Sequence, residues 1–248
     1  MRSFLRSAIF YALGTSALCG PAFAGPLLSN GNFSQTSAPG NNASVPAGLC
    51  NANASFACLN VTGWTNTDGY SFVATGADLG VNHYGDIRLA SFTANTLDNG
   101  AFANANYIAA DGNSVLGPKG TLSQSVTGLT VGDNYAVTFY QAAGEQSGST
   151  GALSEQWEVS LGGKNQFASI MNYGGSQFVG WEAETLVFNA TSTSELLSFL
   201  SLGVPGGTPP FALLEGVSIA DVPEPSALMM LGMGALGLVL LRRARAQA

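Results

Sequence analysis

In Leu122-Ser123-Gln124-Ser125-Val126, the residues Leu122, Gln124 and Val126 alternate with Ser123 and Ser125. After the turn-rich stretch Gly128 to Asn134, Tyr135, Val137 and Phe139 alternate with Ala136, Thr138 and Tyr140. A period of two is the signature of a strand with one buried face, because successive side chains point to opposite sides of the backbone. Two such runs around a Gly-containing connection predict a β-hairpin.

Downstream the pattern repeats. Trp157, Val159 and Leu161 alternate with Glu158 and Ser160, then Gly162-Gly163-Lys164-Asn165 leads into Gln166 to Met171, which predicts a second hairpin. Further strands are expected at Trp181 to Phe188, Leu196 to Leu202 and Phe211 to Ile219, each bounded by Gly, Pro, Asn or Asp. Upstream, a short strand is expected around Asn30-Gly31-Asn32-Phe33, followed by a long loop over 35–60 that is poor in apolar periodicity. No stretch of the body keeps a 3.6-residue apolar period. Six to ten strands with turns between them predict an all-β fold, one jelly-roll-type β-sandwich over residues 25–221.

The two ends read differently. Met1 to Arg6 is basic, Ser7 to Gly20 is apolar, and Ala22-Phe23-Ala24 is a small-x-small site, so residues 1–24 predict a signal peptide handled by the Sec translocon and signal peptidase. Cys19 falls inside it. Cys50 and Cys58 are then an even pair in an exported chain, and a disulfide between them is expected, contributing about 2 to 3 kcal/mol by restricting the unfolded state. Residues 222–248 combine Val222-Pro223-Glu224-Pro225, an uncharged apolar run over 226–241, and Arg242, Arg243 and Arg245 within 242–248. The prolines forbid a continuing strand. The run predicts a single transmembrane helix with the arginines on the cytoplasmic side and the body outside.

This tail resembles that of the PEP-CTERM proteins of Gram-negative bacteria. The resemblance implies an exosortase-like membrane protease as partner, transient anchoring in the inner membrane, and delivery to the cell surface or the exopolysaccharide matrix of a biofilm. The body resembles galactose-binding-like sandwiches at Leu28 to Phe33, Val61-Thr62-Gly63-Trp64, Leu122 to Phe139 and Leu213 to Ile219. That likeness implies a carbohydrate-binding domain, with extracellular polysaccharide as its partner. Related modules hold a structural calcium with an acid after the Asn-Gly-x-Phe motif and an Asp in the last strand. Here those positions are Ser34 and Glu215, which leaves Glu215 as the metal-ligand candidate.

Composition narrows the partners. The chain has 15 acidic and 8 basic residues. Five of the arginines lie in the two ends and Glu224 lies in the tail, so the body sets Arg88, Lys119 and Lys164 against 14 carboxylates, a net charge of -11. Nucleic acid is excluded as a partner by that balance. His83 is the only histidine, too few nitrogens for a zinc site of the usual kind.

The chemistry expected of the body is binding without catalysis. Trp64, Tyr70 and Tyr84, in loop-like surroundings, are the candidate sugar platforms, since ring faces cover the C–H faces of pyranoses. Trp157 and Trp181, within strands, are expected in the core. Glu182 with Glu184, and Glu155 with Glu158, are the carboxylate pairs on which a glycoside hydrolase would have to be built. A matrix or adhesion protein without a defined ligand is the other alternative.

Overall fold

A computed structural model of the chain describes residues 27–38, 47–50, 58–67, 70–75, 81–82, 85–86, 89, 93, 95–97, 106–112, 120–146, 151–175, 177–204, 210–222 and 243. The signal peptide, Tyr84, His83, the prolines of the tail and the helix expected over 226–241 lie outside them. Among the described residues no helix is long and apolar enough to cross a membrane.

The described body is built from strands. The early ones are short: β1 (Thr36–Ser37), β2 (Ala47–Gly48), β3 (Asn60–Val61), β4 (Thr65–Asn66), β5 (Ser71–Thr75), β6 (Val81–Asn82) and β7 (Gly85–Asp86). The later ones are β8 (Asn106–Asp111), β9 (Thr121–Thr127), β10 (Asn134–Glu145), β11 (Leu153–Leu161) and β12 (Lys164–Phe167). β13 (Met171–Tyr173), β14 (Phe178–Asn189), β15 (Ser194–Val204) and β16 (Pro210–Asp221) complete the body. Two large antiparallel sheets form the sandwich. Sheet I has the order β14-β10-β16-β8-β5-β2; sheet II has β12-β11-β15-β9-β4, with β13 also on β11. Two small pairs, β1 with β3 and β6 with β7, stand beside them.

Between the sheets lies a core in which the alternation read from the sequence is realised. Leu122 and Val126 point inward from sheet II, and Tyr135, Val137 and Phe139 from sheet I. The expected hairpin is not formed. β9 pairs with β15 and β4, whereas β10 pairs with β14 and β16, so residues 128–133 cross from one sheet to the other. Leu129 plugs the core at that crossing, 3% exposed. The arch is pinned to the β14–β15 connection, which makes the same crossing: Gly128 and Leu129 donate to Thr193 O at 3.0 and 3.2 Å, and Gly132 donates to Ala190 O at 2.9 Å. Alternation fixes which face of a strand is buried and leaves its neighbour open.

The second hairpin does form. Ser160 pairs with Asn165 and Leu161 with Lys164 around Gly162 and Gly163, at φ 59° and 79°, the left-handed pair that a two-residue type I′ turn requires. The strands expected near 181–188, 196–202 and 211–219 exist and run longer than the apolar pattern marks.

Two early expectations are corrected. The 35–60 segment carries short strands, and Asn30 to Phe33 is a turn. Asn30 and Phe33 have φ of 50° and 54°, outside strand geometry. Gly31 lies against the last strand so closely that a Cβ on it would stand 1.8 Å from Val217 O. The Cys50–Cys58 disulfide is present.

Candidate functional site on the outer face of sheet I

The four sequence pieces that carry the galactose-binding resemblance meet in one place. Trp64 Nε1 donates to Asn30 O at 3.1 Å, Ser29 N donates to Gln124 Oε1 at 2.7 Å, and Gln124 Nε2 returns a bond to Ser29 O at 3.0 Å. Val217 N donates to Gly31 O at 2.9 Å. These residues lock the N-terminal turn onto both sheets. Trp64 is therefore a structural residue and is corrected as a sugar platform. It is 7% exposed, and Phe33 and Phe199 lie against it at ring distances of 5.3 and 6.2 Å. The cavity beside it is about 10 Å³, room for about one water and none for a pyranose.

Sheet I has a second apolar layer on its other side. Phe72, Ala74, Leu89, Tyr107, Ala109, Ala142, Phe211 and Leu213 form a separate buried cluster, flanked by half-buried Tyr70, Phe178 and Trp181. Tyr70 belongs here, edge-on to Phe72 at 4.7 Å and stacked on Phe211 at 5.8 Å. Trp157 is in the main core as expected, donating its indole N–H to Leu213 O at 3.1 Å. Trp181 is not in that core. It stands on the outer face, edge-on to Tyr107 at 6.0 Å, with Nε1 donating to Thr93 O at 2.9 Å.

A β-bulge decides what joins this layer. In sequence Glu215 shares a parity with Phe211, Leu213, Val217 and Ile219, which would put a carboxylate in one apolar row. The register of β10 against β16 shifts between Thr138↔Ser218 and Tyr140↔Glu215, and Gly216 takes φ 63°, as in a bulge whose first residue is a left-handed Gly. Phe211, Leu213 and Glu215 thus face outward, while Val217 and Ile219 return to the main core. Glu215 is 5% exposed and accepts a 3.0 Å hydrogen bond from Asn95 Nδ2.

Beyond Glu215 the face opens. Tyr140 is directly opposite Glu215, and Thr138 opposite Ser218, with their hydroxyls 2.6 Å apart. Ala183, opposite Tyr140 on the neighbouring strand, is exposed. An aromatic wall at Trp181 thus meets a lane of hydroxyls and a buried carboxylate at its margin. The sequence places Trp181 in the core and marks Tyr140 and Thr138 only as strand residues; with Ser218 they come together only because β10 pairs with both β14 and β16.

Ca²⁺ takes six to eight oxygens, several of them charged. Among the described residues no group of three His, Cys, Asp or Glu side chains could hold a metal ion, and Ser34 spends its hydroxyl on Asn32 Oδ1 at 2.9 Å.

The two carboxylate pairs are placed differently. Glu155 and Glu158 leave opposite faces of β11: Glu155 is fully buried, and Glu158 accepts from Asn165 on the outer side. Glu182 and Glu184 do share a face, and both accept from one amide, Gln141 Nε2, at 2.6 and 3.1 Å. Glu155 belongs instead to a polar end of the core with Glu145, Asp111 and Tyr173, all buried. The Tyr173 phenol is pushed far above its ordinary range, first by burial and then by Glu155, Glu145 and Asp111.

Comparison with known proteins follows the same division of the chain. Residues 97–209 match the family model of a protein of unknown function, DUF642, and residues 221–245 match the PEP-CTERM protein-sorting motif. Comparison with curated proteins finds no match. Among solved structures, a CBM4 module is 14% identical over 79% of this chain and 99% of its own, with a TM-score of 0.33. The CBM22-1 xylan-binding domain of Paenibacillus barcinonensis Xyn10C is 16% identical over 65% and 87%, TM-score 0.33. The sugar-binding EclA C-terminal domain is 20% identical over 46% and 76%, TM-score 0.36. The chain therefore carries a PEP-CTERM sorting motif at 221–245, behind a β-sandwich body of which the middle matches DUF642.

Proposed function

We propose that this is an exported surface protein whose sandwich binds polysaccharide without catalysis, and whose tail is processed by an exosortase-like protease that passes the body to the cell surface or exopolysaccharide. The lane on sheet I carries the binding reading: Trp181 offers an apolar ring surface, Tyr140, Thr138 and Ser218 offer hydroxyls, and Glu215 is a carboxylate held in place by Asn95. Ring faces combined with a few fixed polar groups are what a sugar-binding surface needs. Val222, the last described residue before the Pro-Glu-Pro segment, donates to Asn134 O at 2.8 Å, so the body is tied by a backbone bond up to the start of that segment.

Retention on a panel of polysaccharides tests the binding, with Trp181→Ala and Ser218→Tyr as variants. The expected result is retention of the parent and at least about a tenfold loss in both variants, as for removal of a central aromatic anchor. Absence of retention of the parent at millimolar sites sinks the reading. Mass spectrometry of the surface form tests the processing: loss of the arginine-rich end is expected, and its presence on the mature protein contradicts cleavage.

A further inference from the structure

The outer face of sheet II is the counterpart of the lane on sheet I, and its chemistry differs. On the central strand β15, Leu196, Ser198, Leu200, Leu202 and Val204 point away from the core, with Leu196 55% and Val204 59% exposed. Phe167, on β12, is 54% exposed and stands beside Glu158 in the same cross-strand row as Leu200 and Thr121. The rows between are hydroxyl-rich. Thr65, Ser123, Ser198, Ser160 and Asn165 run across all five strands in register, and Ser160 and Ser198 are joined at 2.7 Å. Among the described residues this face carries one ionisable side chain, Glu158, already accepting from Asn165.

We propose that this face is the interface between two copies of the chain, packed sheet against sheet about a twofold axis. Three observations select a second copy as the occupant. The body has a net charge of -11, so two copies repel wherever their acidic surfaces meet. The sheet II face is almost free of charge and lets them approach. An aliphatic lane on a central strand, broken by Ser198 and open to water at Leu196 and Val204, is the kind of patch that marks an association site. The five strands run from 2 to 11 residues, and at about 4.8 Å between strands and about 3.3 Å per residue they give a face of about 500 Å², or about 1,000 Å² buried by the pair, the least that a specific interface needs. Self-pairing also suits the hydroxyl row, because Ser and Thr both donate and accept, and a twofold axis through that row brings it onto its own copy. The lane on sheet I stays open in such a dimer, and the two binding faces point away from each other.

Sedimentation of the full chain in detergent, alongside Leu200→Glu, reads the association. A mass of two copies is expected for the parent, with the dissociation midpoint raised at least about tenfold by the variant, since an isologous interface would bury the new carboxylate twice. Ser198→Cys with a short bis-maleimide gives a second reading that tolerates folding differences: crosslinked dimer is expected well above the yield of Ser218→Cys on the opposite face. A single-copy mass at high micromolar concentration overturns the proposal, as does equal crosslinking at the two positions. If Leu200→Glu abolishes polysaccharide retention while the parent sediments as one copy, the face binds glycan, and the dimer is wrong.

Discussion

Gly203 lies directly across from Glu155 in the β11–β15 ladder, so close that a Cβ on it would stand 1.8 Å from Glu155 Oε1. Gly112 closes the other side, with a Cβ there 2.6 Å from Glu155 Oε2. Ser201 Oγ sits 3.1 Å from Ala110 O and 3.2 Å from Glu155 Oε2, able to donate to either. The carboxylate is fitted into a slot that two missing side chains create. Gly203→Ala should destabilise the fold by about 1 to 3 kcal/mol, the usual cost of overpacking a filled core. Urea unfolding measures it, and an unchanged midpoint would mean the slot has slack.

Trp64 and Trp181 should part company under mutation. Trp64→Ala empties a core position and drops the indole bond to Asn30, with an expected loss of about 3 to 5 kcal/mol. Trp181→Ala, at a half-buried edge, should cost far less stability and show its effect in glycan retention. Thermal melts paired with retention assays separate the two. Equal destabilisation by both would place Trp181 in a core role.

Glu195 should contribute to acid sensitivity. Burial pushes its pKa up, but hydrogen bonds from the Thr191 hydroxyl, Thr191 N–H and Ser192 N–H, together with Lys164, outweigh burial and leave it below the ordinary carboxylate value. A folded pKa below the unfolded one stabilises the protein above the unfolded pKa, near 4.5, and that contribution disappears as pH falls through the folded value. Glu195→Gln should therefore lower stability at neutral pH and flatten the loss below about pH 4.5. Parallel acid titrations of parent and variant would refute this.

Reduction of Cys50–Cys58 should lower stability by about 2 to 3 kcal/mol through the small loop it closes. Urea titration with and without reductant measures it, and Cys50→Ser with Cys58→Ser should reproduce the reduced protein.

Calcium should not shift the melting temperature, since among the described residues no group of three His, Cys, Asp or Glu side chains could hold a metal ion. A rise with calcium that chelator reverses, and that Glu215→Gln abolishes, would show a site completed by other parts of the chain.

Much of this protein is local and was readable in order. Alternation in β9, β10 and β11 told which residues are buried, because side-chain direction in a strand depends only on its own backbone. Gly162-Gly163 announced its turn for the same reason, and the Pro-Glu-Pro, apolar and arginine segments are recognisable without a fold. What tertiary structure decided is non-local. It sent β9 and β10 to different sheets, since strand neighbours are chosen by the whole set of faces to be buried. It turned Glu215 outward through the Gly216 bulge, put Trp64 in the core and Trp181 on the surface, and enclosed Glu155 between glycines from two other segments. Sequence set the sides of each strand; only packing decided which sides meet, and the candidate binding lane exists where they do.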